Sequence, residues 1–238
     1  MDLSVIARTG GPVLLWRGPD HDSLDLTGPV IANWVNKGVG LFGDYDLGPD
    51  FTLFVPMPNG LHWREVVAIL SVLLAGGRVV VGEATPSIAP EGDFHAFVPL
   101  GSETEESFVD AEEIFVYNPP ALALSTPVAA DFIDVNSSIR AYPDVTSRRL
   151  DASGVLEVGA EPVDWTHSPT VTGSASGSRP EGLLVSHSTP RADEWARFLG
   201  HLLGGGEVLL ANGMAEDRIS HLAGTLGEVR GRLGSWTK

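Results

Sequence analysis

The run TVTGSASGSRPEGLLVSHS, residues 170–188, sets glycines and hydroxyl side chains directly ahead of an apolar Leu183–Leu184–Val185. A loop of this composition binds phosphate by turning backbone N–H groups inward, and a lysine or arginine usually neutralises the charge. The residues that would form such a cradle are Thr172, Gly173, Ser174, Ser176, Gly177, Arg179 and Gly182. The spacing is not G-x-x-x-x-G-K-[ST]. In GSASG the central residue is Ala175, so the run holds no nucleophile elbow either. Glu181 adds negative charge where a triphosphate needs neutralising, and Arg179, two residues away, is the cation that would compensate. Two readings stand: a working phosphate site centred on Arg179, or a connector with phosphate-loop composition. Glu181 and the acidity of the whole chain favour the connector.

Other reactive side chains form weaker patterns. The seven histidines are scattered, without H-E-x-x-H or a close pair suited to zinc. Asp20–His21–Asp22 has the residue types of a cation site but reads first as a solvated loop. His187 lies between Ser186 and Ser188, yet neighbours in a strand point to opposite faces, so hydroxyl activation is not the simplest reading. Trp34, Trp63 and Trp195 sit at helical apolar spacing, where core packing is the commoner role. The acidic stretch 103–113 reads as a solvated loop.

Composition limits the partners. The chain of 238 residues carries 31 acidic and 15 basic side chains, a formal charge of −16, and no cation cluster of the kind that displaces phosphate counterions. Nucleic acid and anionic membrane surfaces are therefore not expected partners. With 43% hydrophobic and 19% charged residues, the chain has the balance of a globular protein. No apolar run is long enough to span a bilayer, and the amino terminus does not read as an export signal. Cysteine is absent, which excludes disulfides and thiol catalysis, and a cytoplasmic location is expected.

The elements that must position these residues alternate between helix and strand. LTGPVIANWVNKGVGLF reads as a helix with Thr27 as N-cap and Val30, Ile31, Trp34, Val35, Gly38 and Leu41 at helical spacing. Phe51–Met57 and Arg78–Gly82 read as buried strands. The helix GLHWREVVAILSVLLAGG between them stops at Gly76–Gly77, and the three make one right-handed βαβ unit. FHAFVP, EIFVY, ALALS and GVLEVG are short strand candidates, and ADFIDVNSSIRAY suggests a helix. A helix in RADEWARFLGHLLGGG, the strand EVLLAN and a last helix through AEDRISHLAGTLGEVRGRL close the chain. LLAGGRVVV (73–81) and LLGGGEVLL (202–210) repeat one plan of helix end, glycine stop and buried strand.

Several of these segments together resemble the amino-terminal portion of the AMP-binding, adenylate-forming enzymes, the acyl-CoA synthetases and their relatives. Leu47–Gly48, Asp50, Pro58–Asn59 and Ala75–Gly76 follow in that family's order. Gly177, Pro180, Gly182, Leu183, Leu184, Ser186 and His187 match its phosphate loop after a one-residue insertion, and Glu181 stands where the family has lysine. The chain looks most similar to short actinobacterial proteins of unknown function that resemble only this front portion.

The resemblance implies an α/β fold of two subdomains with mainly parallel sheets flanked by helices, here placed at 1–100 and 101–238. A working member uses ATP with magnesium and forms AMP intermediates, with later motifs and a lid bearing a catalytic lysine. The sequence stops at GSWTK, and its two lysines are Lys37, in a predicted helix, and the final Lys238. No catalytic residue, metal site or resident cofactor is therefore expected. The expected function is that of a non-catalytic, truncated homologue acting as a binding or scaffold protein. The alternatives are a nucleotide or acyl/CoA-ligand module, or an acyl-adenylating enzyme dependent on a partner chain. Strand edges and apolar faces that such a truncation would leave open predict a homodimer or a protein partner.

Overall fold

The computed structural model describes residues 3–57, 60–83, 85, 88–166, 179–211 and 213–234. Along the chain run β1 (Pro12–Arg17), β2 (Ser23–Thr27), α1 (Gly28–Gly43), β3 (Thr52–Pro56), α2 (Trp63–Leu74), β4 (Arg78–Gly82), β5 (His95–Pro99) and β6 (Glu113–Tyr117). Then come β7 (Ile133–Asp134), α3 (Val135–Ser138), β8 (Val155–Val158), β9 (Glu161–Val163), β10 (Leu183–Ser186), α4 (Ala192–Leu203), β11 (Glu207–Ala211), α5 (Glu216–Leu226) and β12 (Val229–Leu233).

These elements form two compact units that interleave in sequence. Unit 1 comprises Met1–Ala32, Asn59–Trp63 and Val163–Lys238, and unit 2 comprises Asn33–Pro58 and Arg64–Pro162. The division expected at residue 100 therefore does not describe the molecule. Its cause is a pairing that sequence distance hides: β1 joins β11 in parallel, with Leu14 opposite Val208 and Arg17 opposite Ala211.

Unit 1 holds a five-stranded sheet in the order β12-β10-β11-β1-β2. Its pairs are parallel except β1–β2, which is antiparallel. β10 is buried at every residue and β11 at all but its first, the pattern of strands covered on both faces. Leu15, Leu183, Val185, Leu209 and Ala211 form one apolar cluster with Ile219 and Ala223 of α5.

Unit 2 holds a seven-stranded sheet in the order β7-β6-β5-β3-β4-β8-β9. Its pairs from β7 to β8 are parallel. Thr52–Pro56 is wholly buried, and so is every residue of α2, including Arg64 and Glu65. α1 and α2 cross where Gly38 faces Ser71: a Cβ on Gly38 would lie 2.3 Å from the Ser71 hydroxyl oxygen. That hydroxyl donates within its own helix to Val67 O at 2.8 Å and lies 3.1 Å from Val35 O.

The expected mixed α/β fold, with two mostly parallel sheets flanked by helices, is what the molecule has. β3–α2–β4 and β10–α4–β11 are both βαβ units, and the repeated glycine stop is a repeated geometry. Gly76 (φ +89°) and Gly205 (φ +80°) both take the left-handed conformation after their helices. In each case the next glycine closes the helix end, Gly77 N–H donating to Val72 O (3.0 Å) and Gly206 N–H to His201 O (2.8 Å). This bond ties C″ to C3, and only glycine takes the preceding left-handed position without cost.

Local readings needed correction in five places. Thr27 closes β2 and directly precedes α1, but Val30, placed on the helix's apolar face, is exposed. ALALS forms no strand, and its Leu122 and Leu124 face solvent at 76% and 65% exposure. ADFIDVNSSIRAY gives a two-residue strand, the single turn α3 and a 3-10 turn; Asp134 caps α3 by accepting from Ser137 N–H at 3.1 Å. The last predicted helix stops at Leu226, and VRGRL is the edge strand β12. β1 and β2 were not anticipated. Among the described residues no helix is long and apolar enough to cross a membrane.

Candidate functional site

Of the seven residues assigned to the phosphate cradle, Thr172, Gly173, Ser174, Ser176 and Gly177 lie outside the described residues. Arg179 and Gly182 are described, and both belong to unit 1. Arg179 Nε donates to Gly205 O at 2.6 Å, and its Nη2 donates to Pro12 O at 2.9 Å and to the Glu207 carboxylate at 3.0 Å. The guanidinium thus joins the chain just before β10 to the starts of β1 and β11. Gly182 (φ +77°) is also structural: a Cβ there would lie 2.1 Å from Arg230 Cγ and 2.9 Å from Glu228 O. Its glycine identity lets the strand entry pass close to β12, where Leu183 N–H donates to Glu228 O at 2.8 Å.

A shallow cleft of about 270 Å³ is lined by Arg179, Pro180, Glu181, Gly182 and Glu207. Two of its five lining residues are carboxylates, and its single cation is already paired with one of them. Glu181 is largely exposed, and its carboxylate lies 3.7 Å from Arg230. The cleft sits at the amino-terminal ends of β10 and β11, whereas open α/β sheets collect ligands at the carboxyl ends of their strands.

At the other end of β10 the site that sequence reasoning missed is the amino terminus of α4, where a phosphate would ordinarily settle. Glu194, 9% exposed, fills it: one carboxylate oxygen accepts from Arg191 N–H at 2.9 Å and from Gly234 N–H at 2.7 Å. Asp193 adds a second acid to the same turn. Glu194 is the acid half of a capping box, but Arg191 is not the Ser or Thr that makes the pattern legible in sequence. Ser186 donates its hydroxyl to Ser188 O at 2.8 Å, and His187 Nε2 lies 3.5 Å from the Glu216 carboxylate, so the two do not form a nucleophile–base pair. His201 is buried beside Glu207, with Nε2 3.1 Å from Glu207 O, and burial pushes its pKa below the usual value.

Remaining candidates resolve into structural roles. His21 Nδ1 lies 2.9 Å from an Arg218 nitrogen, and Asp22 lies beyond that pair at the start of β2. Lys37 Nζ pairs with Asp144 at 2.9 Å and donates to Tyr142 O. Lys238 lies outside the described residues. No group of three or more metal-ligating side chains occurs among the described residues. Trp63 and Trp195 are buried, and Trp34 is half-buried.

Unit 2 contains a buried polar network that no sequence pattern pointed to. Tyr117 donates to Glu65 at 2.7 Å, and Arg64 Nη2 donates to Ala121 O and Ala123 O, each at 3.2 Å. Asn136 receives Asn118 N–H at 3.0 Å and donates to Ala123 O at 2.9 Å. Burial lowers the Arg64 pKa to about 10 and raises that of the Tyr117 phenol, which also faces Glu65. The network holds segment 118–126 against the carboxyl end of β6.

No protein-family model matches the chain, and no curated protein sequence matches it. Solved structures do. An acyl-CoA synthetase of Brucella canis is 12% identical with a TM-score of 0.68, over 97% of this chain and 47% of that one. The acetoacetyl-CoA synthetase of Streptomyces lividans is 12% identical with a TM-score of 0.63, over 89% and 38%. The amide bond synthetase McbA of Marinactinospora thermotolerans is 15% identical with a TM-score of 0.57, over 94% and 47%. The chain has the fold of part of these adenylate-forming enzymes and spans less than half the length of each.

Proposed function

We propose that this chain is a non-catalytic relative of the adenylate-forming enzymes that works as a binding or scaffold protein in the cytoplasm. The observation that carries the proposal is the engagement of Arg179. It is the one cation among the residues lining the cleft, and it is committed to two backbone carbonyls and to Glu207. A triphosphate there would have to displace Glu207 and tolerate Glu181 in the same cleft. Adenylation needs the opposite, cations arranged to neutralise the β- and γ-phosphates as charge develops. Losing such charge stabilisation costs about a hundredfold to a thousandfold in rate per missing donor. A homodimer or a protein partner belongs to the same reading, as does kinship with short actinobacterial proteins of this fold.

Carboxylate-dependent exchange of labelled pyrophosphate into ATP, with magnesium and a range of short, medium and aromatic acids, tests the catalytic question. No exchange is expected. Exchange abolished by Arg179→Ala would overturn the proposal and make Arg179 the phosphate clamp of an active enzyme. A thermal-shift screen against ATP, AMP, CoA and acyl-CoA addresses the ligand-module alternative, since a ligand at about a hundred times its Kd stabilises by about 2.7 kcal/mol.

A further inference from the structure

Residues 142–154 of unit 2 carry no regular structure, yet both ends of this segment are fixed. At its start Asn36 Nδ2 donates to Asp144 O at 2.8 Å, and Lys37 pairs with the Asp144 carboxylate at 2.9 Å, both from α1. At its end Asp151 N–H donates to Leu74 O and Gly154 N–H to Leu73 O, each at 2.9 Å, where α2 stops. Residues 145–150 cross between these anchors, and Val145, Ser147, Arg148 and Arg149 are exposed. Exposed, irregular backbone is where endoproteases cut folded chains, because a helix or a strand must open first.

The crossing holds Arg148–Arg149, the only adjacent basic pair in a chain of 15 lysines and arginines. The two are not equivalent. Arg148 is held, its guanidinium donating to Leu47 O. Arg149 has an 89% exposed side chain, and its one ion pair, to Asp151 at 3.4 Å, is of the exposed kind that holds little. Arg149 is therefore free to enter the pocket of an arginine-directed serine protease, which reads a cationic side chain through a carboxylate at its base. Every other described lysine or arginine lies in a helix, a strand or a 3-10 turn, except Arg179 and Arg191. Arg179 precedes Pro180, whose locked ring resists cleavage, and Arg191 caps α4 with ion pairs to Asp193 and Glu194. The interleaved units decide what a cut here would release. The part after residue 149 supplies β8, which pairs with β4 in unit 2, and β11, which pairs with β1 in unit 1. Arg78 of β4 adds two hydrogen bonds to Glu157 of β8, at 3.0 and 2.7 Å.

We propose that the Arg149–Leu150 peptide bond is a processing site for an arginine-directed endoprotease, and that the cut protein persists as a two-chain molecule. Hydrolysis adds one water across the bond, leaving a carboxylate on Arg149 and an amino group on Leu150. Limited digestion of the full chain with trypsin, read by intact mass, tests this. The first cut is expected at Arg149–Leu150, giving pieces 1–149 and 150–238 that co-elute at the size of the uncut protein and separate only in denaturant. Arg149→Gln should slow the first cut at least about tenfold, whereas Arg148→Gln should still be cut at this bond. Matched urea midpoints establish that both variants fold as the parent does. No cut, a first cut elsewhere, an Arg149→Gln chain cut as fast as the parent, or pieces that part without denaturant would overturn the proposal.

Discussion

Arg179 and Glu207 meet at 3.0 Å, joining the residue before β10's entry loop to the first residue of β11. The pair is over a third exposed on both sides and is worth little as an isolated ion pair. Its weight comes from the two backbone carbonyls that the same guanidinium satisfies, at Gly205 and Pro12.

Replacing Arg179 should therefore register in folding rather than in nucleotide binding. Arg179→Ala is expected to lower unfolding stability by about 1 kcal/mol, the range for a few partly exposed hydrogen bonds. Arg179→Lys should recover only part of it, because an ammonium lacks the planar fork. Urea denaturation checks both. A variant as stable as the parent that loses ATP binding would reverse the assignment.

Gly76 and Gly205 permit a second test. Alanine at Gly76 meets only the Ser153 hydroxyl at 3.3 Å, so its cost is chiefly the left-handed backbone, about 1 kcal/mol. At Gly205 the new Cβ would also lie 2.5 Å from the Thr9 hydroxyl, and Gly205→Ala should cost more. Equal midpoints in chemical denaturation would refute the difference.

Tyr117→Phe removes a 2.7 Å hydrogen bond to Glu65, a carboxylate only 3% exposed. The expected loss is about 1.5–3 kcal/mol, as for a bond to a buried charged group. A loss below about 0.5 kcal/mol would mean that Glu65 draws its stabilisation from its other contacts.

Acidification should weaken the fold through His201. Its folded-state pKa lies below the ordinary 6.5, first because burial disfavours the charged ring, with Arg197 and Arg179 adding repulsion. The unfolded chain therefore binds this proton more readily. Stability from this group is complete above about pH 6.5 and declines as pH falls from there towards the depressed folded value. Denaturation midpoints between pH 7.5 and 5 should fall less steeply in His201→Gln than in the parent. Parallel slopes would exclude His201 as the cause.

What could be read from the sequence tracks how local the causes are. β3–α2–β4 and β10–α4–β11 were legible because a continuous apolar run, an apolar helix and a glycine stop lie within some thirty residues. β1 was not, although Gly10–Gly11 and the Gly18–Pro19 turn frame PVLLWR, because its parallel partner β11 stands almost two hundred residues later. VRGRL was hidden behind α5, although Gly227 marked the break. ALALS misled because its leucines alternate like a strand while facing water. Arg179 was visible as a cation; its consumption by Glu207 and two carbonyls arises only when β1, β10 and β11 lie side by side.

The β1–β11 pairing also imposes an order on biosynthesis. A ribosome releases β1 and β2 first, and they can form their antiparallel ribbon at once. The opposite side of β1, with Leu14, Leu15 and Trp16 along it, stays unsatisfied until residue 211 has emerged. A nascent chain thus carries an apolar strand edge from the release of Arg17 to that of Ala211, a condition that favours misjoining with neighbouring chains. Closure over so long a span is also intrinsically slow. The exposure of that edge is therefore longest-lived in the stretch of synthesis between residues 17 and 211.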